Sequence, residues 1–251
     1  MNEGPVANVE KQRVDTSPQV LARIAGALYL FIIVVGIFGE AFVRERLIVS
    51  GDAAATAANI RSMDSLWRFG IGSELLLLNC AVASTWILFV LLRPVSRDIA
   101  LLATLFNLVA IAVEAAIQLL LLAALFPLGT ASYLSAFAPP QLFAITSLAL
   151  KLHGYGFGIS LLFFGWVCII WGYLIFRSGY FPKAIGVLMQ IAGVCYLLNS
   201  YTLILAPSLA NQMFPAILVP SFIGEASLCL WLLVKGVNLV EWNRRQAPPR
   251  P

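Results

Sequence analysis

Residues 99–126 read IALLATLFNLVAIAVEAAIQLLLLAALF, with no Lys, Arg, Gly or Pro and a single acidic residue, Glu114. Crossing the roughly 30 Å hydrocarbon core of a bilayer takes about 20 apolar residues in a helix. The run lacks the alternation of a barrel strand, and in lipid every backbone N–H and C=O must be paired within the segment, so it predicts a transmembrane helix. Five further runs meet the same criterion, at 24–43, 69–92, 153–176, 184–206 and 214–235. The breaks between them hold residues that a helix interior avoids, such as Arg93-Pro94, Phe126-Pro127, Gly179-Tyr180-Phe181-Pro182 and Ala206-Pro207. The fold class that follows is all-α: a polytopic membrane protein, a bundle of six transmembrane helices with short helices on its outer face.

Composition excludes a soluble domain. Of the 251 residues 61% are apolar and 11% charged, and the mean hydropathy is +0.90, more apolar surface than a soluble chain of this size can cover. The net charge of +4 does not point to nucleic acid, because the basic residues lie in the tails and the polar breaks. Eleven of the 16 Lys and Arg fall in the tails and even-numbered loops, and the remaining five, Arg44, Arg46, Arg61, Arg68 and Lys151, on the other side. That asymmetry places both tails in the cytoplasm. Three parts are therefore expected: a polar N-terminal tail over 1–21, the transmembrane domain over 22–236, and a basic, Pro-rich tail over 237–251. No small-residue cleavage site follows the first apolar run, so it reads as a retained helix.

Two outer segments are predicted to be helical. Asp52 is placed to N-cap a short helix over 53–60. Pro139-Pro140 opens a run over 141–152 that continues into the fourth span. Trp67, Tyr133 and Tyr155 at the outer level, and Trp171, Tyr173, Tyr180, Trp231 and Trp242 at the inner one, read as interfacial anchors. Gly154 and Gly158 have the spacing that lets helices approach closely. Cys80, Cys168, Cys195 and Cys229 sit in apolar runs and suggest neither a disulfide framework nor a zinc site.

Ionisable residues at membrane depth carry the functional information, since a charge there costs roughly 3 kcal/mol or more unless paired, neutralised or hydrated. Glu40 and Glu74 lie toward the outer ends of their spans, whereas Glu114 and Glu225 lie near mid-depth. Asn107, Glu114 and Gln118 fall on one face of the third span, and Tyr29, Gly36 and Glu40 line the first. Turned inward, these faces predict an outward-opening polar pocket lined by Glu114, Gln118, Asn199 and Glu225, with Glu40, Glu74 and His153 as further candidates. An equal reading makes them interhelical hydrogen bonds that serve packing alone. His153, the only histidine, is placed with Lys151 at the water interface, where an ionisable side chain needs no special reason. No catalytic residue, metal site or cofactor is signalled, the motifs of zinc hydrolases, haem proteins and serine hydrolases being absent.

The chain resembles a bacterial membrane-protein family labelled domain of unknown function 4386. The resemblance rests on residues 22–30 (ARIAGALYL), 51–57 (GDAAATA), 91–95 (LLRPV), 153–156 (HGYG), 176–183 (FRSGYFPK), 222–225 (FIGE) and 230–236 (LWLLVKG). It implies a multi-pass protein of the bacterial cytoplasmic (inner) membrane and no particular activity, and it directs attention to His153, Glu225 and the basic turn around Arg177 and Lys183. Where an acidic residue is expected two positions before the histidine, this chain has Lys151. The leading expectation is a non-enzymatic protein whose partners are the lipid bilayer and a small cationic or amphiphilic molecule that it binds or passes. The alternatives are a metal-assisted intramembrane enzyme using His153 and a structural or regulatory subunit of a membrane complex. Nothing in the sequence bears on oligomeric state.

Overall fold

The computed structural model describes residues 17–246. Helix α1 (Pro18–Ile37) runs through a π-helical segment, Phe38–Arg44, into a last turn, α2 (Glu45–Leu47). There follow α3 (Ala53–Ser62), α4 (Asp64–Leu92), α5 (Arg97–Ala123), α6 (Pro139–Ser178), α7 (Lys183–Leu205), α8 (Pro207–Met213), α9 (Val219–Val234) and α10 (Leu239–Gln246). Six helical segments are long and apolar enough to cross a membrane: Pro18–Leu47, Asp64–Leu92, Arg97–Leu128, Pro139–Ser178, Lys183–Leu205 and Ala216–Val234. No strand occurs among the described residues. The expected short helix exists as α3, with the Asp52 carboxylate accepting from Ala55 N–H at 2.8 Å, and of the long or kinked helix expected from Pro139-Pro140 into the fourth span, the structure has one helix of 40 residues.

Helix starts use proline, whose fixed φ suits a first turn and whose missing N–H costs nothing there, at Pro18, Pro139 and Pro207. α6 ends at Gly179, whose φ of 79° is the left-handed conformation that terminates a helix. The spans pack in chain order: α1 on α4, α4 on α5, α5 on α6, α6 on α7, α7 on α9, and α9 back on α1. The result is a closed ring of six. We call the end where α1 begins and α9 finishes the base, and the opposite end, where α3 lies, the crown.

Two apolar cores fill the ring. The larger, toward the base, gathers Tyr29, Leu88, Ala103, Trp171, Met189 and Leu228, one from each span. The smaller, under the crown, packs Val43, Leu47, Ile60, Trp67 and Leu121. Outward faces carry Val34, Phe69, Trp86, Leu119 and Leu205, all exposed, as a lipid-facing surface requires.

Close helix approach meets the expectation in part: a Cβ on Gly158 would lie 2.5 Å from Leu203 Cδ2 on α7. Gly154 has nothing near the place a Cβ would occupy. The seam between α6 and α7 is tightest further along, where Gly165 and Gly172 meet Gly193 and Gly186: a Cβ on Gly186 would lie 2.7 Å from the Gly172 carbonyl oxygen. Only glycine permits backbones that close.

The aromatic anchors are likewise corrected. Tyr133, Tyr155 and Tyr173 are exposed, but Trp67, Trp171, Tyr180 and Trp242 are buried, their rings used for packing rather than as an interfacial belt. Tyr180 donates to the Leu91 carbonyl at 2.6 Å, and the Trp242 ring stands edge-on to it at 5.0 Å. Part of the segment expected as a C-terminal tail is therefore ordered. α10 is tied to the base by Trp242 and by Arg245, which donates to the carbonyls of Arg177 and Ser178. The expected N-terminal tail lies largely outside the described residues.

Candidate functional site at the π-helical segment

A π-helical segment carries more residues per turn than an α-helix and re-aims the side chains that follow it; such segments concentrate at functional sites. Here it spans Phe38–Arg44 and contains both partners of an ion pair. Arg44 Nε donates to Glu40 Oε2 at 2.7 Å, and Arg44 Nη1 donates to Glu74 Oε1 on α4. The side chains of Glu40, Arg44 and Glu74 are 51%, 16% and 9% exposed. The Glu40 contact is an exposed pair of small energetic weight. The Glu74 contact removes two charges from solvent, so each depends on the other.

The surroundings are built to admit this pair. At Gly39 a Cβ would strike the Glu74 carboxyl, and at Gly70 it would lie 3.1 Å from Val43 Cγ1. Gly39, Val43, Arg44, Trp67, Gly70, Ile71, Glu74 and Leu121 line a small cleft that opens from the helix surface, with room for about one water-sized group. Trp67, 1% exposed, walls it and donates through Nε1 to the Leu121 carbonyl at 3.1 Å, joining α4 to α5.

Behind the cleft lie more ionisable groups. Glu114 is within electrostatic reach of both Arg44 and Glu74, and His153 is within reach of Arg44. Ser160 on α6 stands beside the Glu114 carboxyl and donates to the Ala110 carbonyl, one turn before it, at 3.0 Å. One turn beyond Glu114, Gln118 is 3% exposed and its Oε1 has no hydrogen-bond partner. His153, expected at the water interface, is 7% exposed. The remaining member of the α5 stripe, Asn107, donates to Thr85 Oγ1 on α4 at 2.6 Å, so at that position the packing reading holds.

Glu225 belongs to a different centre. Its Oε2 accepts from the Tyr29 hydroxyl on α1 at 3.0 Å, and its Oε1 accepts from the Tyr196 hydroxyl on α7. Asn199, one turn beyond Tyr196, is partly buried. Ser221, one turn before Glu225, donates to the Ala192 carbonyl at 3.1 Å.

The residues expected to share one pocket are thus divided. Glu40 and Glu74 are joined through Arg44, with Glu114, Gln118 and His153 behind them. Glu225 and Asn199 lie on the α1–α9–α7 side; no hydrogen bond or ion pair links them to Glu114 or Gln118, although Glu114 is within electrostatic reach of Glu225. The division has a geometric cause: α5 packs between α4 and α6, whereas α9 packs between α1 and α7. Arg44, read from sequence only as a loop cation, is the residue that organises the first centre. Its signal was the four-residue spacing from Glu40 at the end of an apolar run. Among the described residues no three His, Cys, Asp or Glu side chains come together to hold a metal ion.

A closed ring of six membrane-length helices, with ionisable side chains buried at membrane depth, defines a multi-pass helical membrane protein. The chain belongs to the family described as domain of unknown function (DUF4386), whose sequence model matches residues 24–236, a range that contains both centres. It is 30% identical over 154 residues to an uncharacterized protein of Archaeoglobus fulgidus, a match covering 61% of this chain and 75% of that one. A relative in an archaeon means that sequence likeness alone does not place the protein in a bacterium. No solved structure matches the chain.

Proposed function

We propose that this is a non-enzymatic membrane protein that binds a small cation at the crown cleft and exchanges it across the membrane. One observation carries the reading: Glu40 and Glu74 share the single guanidinium of Arg44, and a third carboxyl, Glu114, lies within its electrostatic reach. If all ionise, the group carries two surplus negative charges; Glu40 is half-exposed, but an uncompensated carboxylate at Glu74 or Glu114, at or near membrane depth, costs roughly 3 kcal/mol or more. A cation arriving in the cleft, or protons in its absence, supplies the compensation. The crown cleft leaves room for about one water-sized group, too little for an amphiphile. Arg23, Arg93, Arg97, Arg177, Lys183, Lys235, Arg244 and Arg245 support an orientation with the base toward the cytoplasm of a prokaryotic cell and the cleft toward the outside.

The test is saturable binding of radiolabelled methylammonium to the purified protein in lipid vesicles. Glu74→Gln and Glu114→Gln are expected to weaken it about tenfold or more, since one lost charge contact of about 1.4 kcal/mol is a tenfold effect. If the wild-type protein binds neither methylammonium nor alkali cations, or if both variants bind as the wild type does, the reading fails.

A further inference from the structure

The two buried carboxyl centres differ in the chemistry of their partners. Arg44 presents only N–H donors and cannot accept a hydrogen bond, so the Glu40 and Glu74 oxygens can only accept from it. Glu225 forms no ion pair among the described residues. Its partners are two phenol hydroxyls, one on each carboxyl oxygen, and a hydroxyl both donates and accepts. When the carboxyl is ionised both phenols donate to it. When it is protonated, one phenol rotates to accept the new O–H while the other still donates. The same heavy-atom geometry therefore satisfies both protonation states.

Depth adds to this. Glu225 lies nine residues before the end of α9 at Val234, about 14 Å along the helix at 1.5 Å per residue, near the middle of the hydrocarbon layer. It is only partly covered by its neighbours. Tyr29 from α1 and Tyr196 from α7 touch it, and the other titratable groups within electrostatic reach are Cys168 from α6, Glu114 from α5 and Cys229 on its own helix. No cation is among them.

We infer that Glu225 is a proton-exchange site at the centre of the membrane, gaining and losing a proton in place while Tyr29 and Tyr196 reorient their hydroxyls. Only an O–H bond forms or breaks, with water as the proton's source and acceptor. The inference does not depend on cation binding at the crown cleft.

Infrared difference spectroscopy of the protein in lipid vesicles, recorded across a pH series in H₂O and D₂O, tests it. The wild-type protein is expected to show a protonated-carboxyl band that titrates with pH. That band disappears in Glu225→Gln and persists in Glu114→Gln. Tyr29→Phe, which keeps the ring and removes one hydroxyl, is expected to move the midpoint by about one pH unit, a tenfold change in proton affinity. It also covers the case in which Glu225→Gln does not fold. A band that fails to titrate, survives Glu225→Gln, or keeps its midpoint in Tyr29→Phe overturns the assignment. A band that behaves as expected in a protein that binds no methylammonium would sink the cleft reading alone.

Discussion

Arg44 shows how one side chain decides the character of a site. Removing its charge strands the Glu74 carboxylate, only 9% exposed, and breaking a buried pair from one side costs about 3–5 kcal/mol. Arg44→Gln is therefore expected to lower the unfolding midpoint strongly in a thermal or denaturant titration of the detergent-solubilised protein. The double variant Arg44→Gln with Glu74→Gln should recover most of that loss, because no unpaired charge remains. If it is no more stable than the single variant, the pair does not carry the interaction. Trp67 acts in the same region through packing and one hydrogen bond. Trp67→Phe keeps most of the apolar contact and gives up the bond to the Leu121 carbonyl, for a loss of about 1 kcal/mol. Both roles escaped the sequence reading for one reason. A Trp or Arg near the end of an apolar run has the same one-dimensional appearance whether it faces the headgroups or the bundle.

Among the helices, the α6–α7 seam depends most on the absence of side chains. At Gly186 a Cβ would lie 2.7 Å from the Gly172 carbonyl oxygen and 2.7 Å from the Phe176 nitrogen, and neither backbone atom can yield as a side-chain tip does. Gly186→Val is expected to force the helices apart and cost about 3 kcal/mol or more, the upper range for overpacking. Gly154→Ala, with open space at its Cβ position, should be neutral or slightly stabilising, since alanine favours helix by up to about 1 kcal/mol. Equal effects of the two substitutions on the unfolding midpoint would contradict this account of the seam. The glycine spacing that drew attention in the sequence was real, but which glycines meet a neighbour depends on how α6 is rotated. The π-helical segment has a comparable consequence for α1. Tyr29 and Glu40 would share one face of an uninterrupted α-helix, yet Tyr29 bonds to Glu225 whereas Glu40 bonds to Arg44.

At the scale of the whole molecule, the proposed orientation rests on the basic residues of the base. A fluorescent-protein fusion after residue 251 is expected to be fluorescent, as such fusions are when they remain in the cytoplasm, and alkaline phosphatase inserted at Ser132 in the crown should be active. The opposite pattern would reverse the orientation and turn the cleft inward. The six spans, the breaks between them, the short helix capped by Asp52 and the long fourth helix were all legible in the chain. Each follows from a local requirement: lipid tolerates only an apolar segment of sufficient length with its backbone bonds closed, and proline, glycine and capping residues act within a turn or two. The carboxyls at risk were legible too, because a Glu within an apolar run is costly wherever its helix turns. Their partners were not. That Glu74 meets Arg44, that Glu225 rests between two tyrosines, and that Glu114 and Glu225 belong to separate centres were settled by helix rotation, the closure of α9 onto α1, and one π-helical segment. These arise from many small contacts between residues far apart in the chain, and no local pattern encodes their sum.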